Sequence, residues 1–130
     1  MLNTKSKMEA VARFKSCPMS ARKMRLVVDN IRGKNVTEAI GILRYTNKEA
    51  AQWLTKILMS AVANWEVKAE NDPAEYDLYI KTAFSDAATM LKRFQPAPQG
   101  RANRIRKRTN HVTLIVANRK PLASEVEAAA

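Results

Sequence analysis

The spacing of apolar residues changes twice along this chain, and that change limits the folds it can adopt. From Met8 to Lys15 it is two: Met8, Ala10, Ala12 and Phe14 fall on one side, with Glu9, Arg13 and Lys15 on the other. This is the period of a half-buried strand. Pro18 breaks the run. A helical period follows, with Met24, Val27, Val28 and Ile31 forming one stripe. Ser20 suits the N-cap of this helix, which runs to about Arg32, and Gly33 suits the position just past its end. Thr37 is the expected cap of a short second helix carrying Ala39, Ile40 and Leu43. Asn47 is the expected cap of a longer third helix that includes Ala50, Leu54, Ile57, Leu58, Ala61 and Trp65 and ends at Asn71-Asp72-Pro73. Trp53 falls on the side of that helix, partly exposed. The period returns to two at Tyr76, through Leu78 and Ile80, and again from His111 to Asn118. Strand, three helices and two strands predict an α+β fold: three helices packed on a small antiparallel three-stranded sheet.

Between the last two β runs lies KRFQPAPQGRANRIRKR, Lys92 to Arg108, with seven basic residues and no acid. Pro98 and Gly100 suit positions i+1 and i+3 of a type I turn closing Ala97 to Gly100. The segment therefore reads as a long protruding β-hairpin over about residues 84–112. Its arms of roughly a dozen residues reach on the order of 40 Å. The outer arms lack apolar alternation, a two-stranded hairpin is marginal in water, and its charges repel one another. Phosphate contacts with counterion release would relieve both problems, and arginine forks suit phosphate. The competing reading is a disordered basic loop. The strands on either side and the turn residues favour the hairpin.

Charge points the same way. The 130 residues carry 23 basic and 12 acidic side chains, a net charge of +11. Such a surplus bears on partners, not on fold. The surplus sits in two blocks: residues 1–28 hold seven cations and one acid, and residues 87–124 hold nine cations and no acid. Like-charge blocks mark nucleic-acid-binding segments or tails. In the first helix, Arg22, Lys23 and Arg25 crowd the N-terminal turns, where cations oppose the helix dipole, so a partner explains them better than helix stability does. Arg32 lies on the same side, and the alternative there is a solvated face with Asp29 as counter-ion.

Other chemistry is not supported. No apolar run is long enough to span a membrane, and MLNTKSKMEAVARF has no signal-peptide pattern, so a cytoplasmic location is expected. Cys17 is the only cysteine and His111 the only histidine, which leaves neither a metal set nor a Ser/His/Asp set. Glu70, Asp72, Glu75 and Asp77 read as a solvated helix–strand loop. No cofactor, small-molecule substrate or enzyme activity is expected, and the apolar residues are used up by one monomeric core, so no homo-oligomer is expected. The chain reads as one domain over residues 1–119, followed by a frayed tail, 120–130.

Three stretches, SARKMRLVVDNIRGK, EAIGILRYTNKEAA and MLKRFQPAPQGRANRIRKRTNHVTLIV, resemble in order the family of bacterial large-subunit ribosomal proteins numbered twenty-two, from about Ala10 to Arg119. The resemblance implies a small α+β domain on the outside of the large subunit, near the exit of the nascent-peptide tunnel. It implies a long hairpin threading the large rRNA, a tip lining the tunnel, and a part in subunit assembly. The implied partners are large-subunit rRNA, neighbouring ribosomal proteins and the nascent polypeptide. Carried over by position, the implied rRNA-binding residues are Ser20, Arg22, Lys23, Arg25, Arg32 and Lys34 in the domain, and Lys92, Arg93, Arg101, Arg104, Arg106, Lys107, Arg108 and His111 in the hairpin. The implied tunnel-lining tip is Arg93, Phe94, Gln95, Pro96, Ala97, Pro98, Gln99, Gly100 and Arg101. The chain departs from the family pattern at Asp86-Ala87-Ala88-Thr89, where an acidic-Gly-Pro run is common. It departs again at Ala97, where a basic residue is usual, and at Pro98-Gln99, so its tip is less charged and stiffer. The rival from another class is a DNA-architectural protein with a basic β-arm, which would need an apolar dimer face. A regulatory RNA-binding module would show more surface aromatics than Phe94.

Overall fold

The computed structural model describes residues 8–120. Its elements are β1 (Glu9–Cys17), α1 (Ala21–Ile31), α2 (Val36–Tyr45), α3 (Glu49–Ala69), β2 (Leu78–Pro96) and β3 (Ala102–Asn118). The three strands form one antiparallel sheet in the order β1-β3-β2, so the expected α+β architecture is present. The last strand lies in the centre. All of the expected tail beyond Lys120 lies outside the described residues.

Each helix forms where its apolar stripe meets the sheet. Met24, Val27, Val28 and Ile31 of α1 are fully buried. The Ser20 hydroxyl accepts from the Lys23 amide at 3.3 Å, as a cap should. Gly33 has φ 78 and leaves α1 in the left-handed region; its N–H donates to Ile80 O, which turns the chain directly onto the edge of β2. The expected caps of the next two helices are displaced. Asn35 precedes α2 instead of Thr37, because Val36 is itself buried and adds a first apolar position to the stripe. Lys48 precedes α3 instead of Asn47, with no side-chain cap. Packing of Ala50 and Ala51 sets that start, since tertiary contact contributes more to a helix than its ends do.

One face of the sheet carries the core. Val112, Leu114 and Val116 of the central strand and Ile80 of β2 are fully buried, together with Leu54, Leu58 and Trp65 of α3. Helix side chains also cover the edge strands, whose unpaired carbonyls would otherwise invite further strand pairing. On the β1 side, Trp65 Nε1–H donates to Met8 O (3.1 Å), Asn64 to Val11 O (3.1 Å) and Lys68 to Glu9 O (2.8 Å). On the β2 side, Arg32 donates through Nε and Nη2 to Ala83 O (3.0 and 2.8 Å), and Arg25 Nε donates to Ser85 O (3.0 Å). Trp53 is half-buried as expected, with its ring 5.3 Å from that of Phe14.

The hairpin continues far beyond this core. β2 and β3 stay paired out to Pro96 and Ala102, yet no side chain from Ala87 to Thr109 is buried. The turn differs from the expected type I form. Gln99, at its third position, has φ 64 and ψ 33, where type I requires φ near −90°. Gly100 is left-handed too, at φ 72. The Ala97 N–H closes the loop onto Arg101 O at 2.7 Å, so the tip spans five residues.

Candidate nucleic-acid interface

Strand register, invisible in the charge count, sorts the hairpin cations by face. Residues directly opposite in an antiparallel pair share a face. Met90 lies opposite Arg108, Lys92 opposite Arg106 and Phe94 opposite Arg104, so one face carries four of the cations. On the other face Leu91 lies opposite Lys107, Arg93 opposite Ile105 and Gln95 opposite Asn103, pairing each cation with an apolar residue. The direct Lys92–Arg106 pair is a like-charge contact that disfavours the isolated hairpin. A line of phosphates along that face would reverse the sign. Phe94 is 70% exposed among these cations. Beyond it, from Gln95 to Gly100, the tip carries no charge, and Arg93 and Arg101 flank it.

The cations of α1 divide by direction. Arg22 and Lys23 are exposed. Arg25 and Arg32 are exposed too, and their guanidinium groups also donate to the β2 carbonyls, while Arg32 pairs with Asp29 at 2.8 Å. Lys34 is exposed, with Glu38 at 3.9 Å. Ser20 serves as the α1 cap. His111 lies in β3, and its Nδ1 accepts from the Ser16 N–H at 3.0 Å. That bond supports the kink at Ser16, which has φ 57 at the irregularity between Phe14 and Cys17. Ser20, Arg25, Arg32 and His111 thus also make bonds that hold the elements of the interface together.

The structure brings Arg22, Lys23 and Arg25 alongside Arg108 in a groove of about 580 Å³ between the start of α1 and the base of the hairpin. Its lining also includes Leu26, Ala88 and Met90, which are not among the residues expected from the sequence. One signal was available: Leu26 interrupts the polar side of α1 and is 56% exposed. The carboxylate group around Asp72 is a turn, as expected, with Asp72 Oδ1 accepting from the Ala74 N–H at 3.0 Å. Among the described residues no group of three metal-ligating side chains occurs, and no helix is long and apolar enough to cross a membrane.

A small helical domain thus extends a hairpin whose outer part, residues 87–109, has no buried side chain and no acid. Residues 12–117 match the family model described as ribosomal protein L22p/L17e. The chain is 52% identical over 108 residues to the large ribosomal subunit protein uL22 of Flavobacterium psychrophilum, covering 82% of this chain and 79% of the relative. It is 52% identical over 105 residues to the protein of the same name from Porphyromonas gingivalis, covering 81% and 78%. With that of Bacteroides fragilis it shares 50% identity over 108 residues, covering 83% and 79%. The chain belongs to the ribosomal protein L22p/L17e family. It is a structural protein of the ribosome and not an enzyme, and the DNA-architectural alternative falls away.

Proposed function

We propose that this chain is a structural constituent of the large ribosomal subunit, in the bacterial cytoplasm, that binds large-subunit rRNA and supports subunit assembly. Arg22, Lys23 and Lys34 supply phosphate contacts from the domain. Lys92, Arg104, Arg106 and Arg108 supply them along one hairpin face, with Arg93, Arg101 and Lys107 on the remaining surface. Ser20, Arg25, Arg32 and His111 fix the geometry of that surface. The tip, Arg93 to Arg101, lies against the nascent-peptide exit tunnel, where its uncharged centre suits a wall facing a passage. Neighbouring ribosomal proteins complete the setting.

The observation that carries this reading is the hairpin itself. Its strands are paired over their full length, yet no side chain from Ala87 to Thr109 is buried and none is acidic. Such a structure gains a core only from a polyanion packed around it. The test is equilibrium binding of the full chain to purified large-subunit rRNA across a salt series. Affinity falls steeply, with a slope of about 0.9 per phosphate neutralised. A flat salt dependence overturns the electrostatic reading. Deleting Arg93 to Arg101 should leave binding largely intact. Loss of all rRNA binding on that deletion would refute the division between anchoring arms and tunnel-facing tip.

A further inference from the structure

The groove between α1 and the hairpin base sets the apolar side chains of Leu26, Ala87, Ala88 and Met90 beside cations from two separate elements. Arg22, Lys23 and Arg108 stand at its rim and no acid lines it. A double helix presents only its backbone and groove edges to a protein, whereas an unpaired nucleotide can be splayed out and laid flat on exposed apolar side chains. The space, about 580 Å³, falls within the range of pockets that enclose small ligands.

Strand geometry shows how the groove is made. Ala87 and Ala88 are consecutive in β2, and in a regular strand they would point to opposite faces. Both line the groove. The register slips between Ala87 and Met90, where β2 carries one residue more than β3, and a bulge of this kind re-aims side chains. The Thr109 hydroxyl donates to Thr89 O and holds the bulge in place. The groove walls are also tied to each other, by Arg25 to Ser85 O and by Asn110 Nδ2 to Met19 O at 2.7 Å. The groove is therefore preformed, held by bonds at the base of the hairpin.

We propose that this groove takes one unpaired nucleotide of RNA, its base lying on Leu26 and Met90 and its phosphate held among Arg22, Lys23 and Arg108. The proposal rests on the rRNA-binding reading above and adds a position at which that binding senses RNA structure as well as charge. Leu26 and Met90 are exposed at 56% and 37%, so replacing them leaves the core intact.

The experiment uses the full chain and purified bacterial large-subunit rRNA across a salt series. Leu26→Ser with Met90→Ser should weaken binding about fivefold to tenfold, the lower end for losing a base-stacking contact. The salt slope should not change, because apolar contacts release no counterions. Arg22→Gln should lower the slope by about one. A photoreactive benzoylphenylalanine at position 90 should cross-link to a nucleotide that is unpaired in the rRNA, and this readout stands whatever the serine variants do to stability. Wild-type affinity in the double variant, or cross-links confined to duplex rRNA, would overturn the proposal and leave the rRNA-binding reading standing. Failure of the unaltered chain to bind rRNA in a salt-dependent way would overturn both.

Discussion

Arg32 offers the sharpest separation of a structural from a contacting role. It lies in the basic block of α1 and is an expected rRNA ligand, yet Nε and Nη2 both donate to Ala83 O, at 3.0 and 2.8 Å, and Nη1 pairs with Asp29. Hydrogen bonds from a charged donor contribute about 1.5–3 kcal/mol when well shielded. The Arg32 side chain is 48% exposed, and water can replace part of what it provides, so Arg32→Ala should cost about 1–2 kcal/mol in total. For a chain of this length that lowers Tm by about 3–8 °C. Arg32→Lys can restore one bond of the two and should recover part of the loss. Asp29→Ala removes only an exposed i,i+3 pair of a few tenths of a kcal/mol and should hardly move Tm. Thermal unfolding followed by circular dichroism measures all three, and rRNA binding across a salt series completes the test. Arg32→Ala should leave the salt slope unchanged, while Arg22→Ala lowers it by about one. If Arg32→Ala unfolds at the wild-type temperature and lowers the slope by one, Arg32 is a phosphate ligand and its place at the edge of β2 is incidental.

Three further outcomes follow from the same structure. In free protein, amides from Lys92 to Arg108 should exchange orders of magnitude faster than those of Val112 to Val116, because stability tracks buried contact; equal protection by hydrogen exchange would show that the hairpin is ordered without RNA. Leu114→Ala, at the fully buried centre of the middle strand, should cost about 3–4 kcal/mol in urea unfolding, and a loss under about 1 kcal/mol would be incompatible with the core described. Burial pushes the Cys17 thiol above its ordinary value of 9.0, outweighing the Asn110 hydrogen bond that acts the other way. The folded state therefore favours the neutral thiol: the resulting stability is complete below pH 9 and declines above it as the unfolded chain ionises first. The stability difference between wild type and Cys17→Ala should shrink from pH 8 to pH 10, and a pH-independent difference would contradict this.

The parts legible in the sequence are those set by local spacing. The apolar stripe of α1, its Ser20 cap and the left-handed exit at Gly33 are all contained within fourteen residues, and each is present. The expected caps Thr37 and Asn47 do not start their helices, because packing at Val36 and Ala50 outweighs a cap. The expected type I turn does not form, because Gln99 accepts a left-handed backbone that its chemistry does not advertise. The interface was least legible, for a different reason. Charge density reveals that cations are present but not where they point. Arg22 and Arg25 are three residues apart on one helix, yet Arg25 bonds the sheet edge because β2, sixty residues later, brings Ser85 O alongside it. Likewise, the four-cation face of the hairpin depends on the register that places Lys92 opposite Arg106. One residue of slip would send those side chains to opposite faces. The bulge at Ala88 and Thr89 is such a slip, confined to the hairpin base, and it is what brings Ala87, Ala88 and Met90 to a single groove. Strand pairing therefore decides where charge and apolar surface meet in this molecule: the regular arms set Phe94, Leu91 and Ile105 among their cations, and the bulge adds a groove at the base.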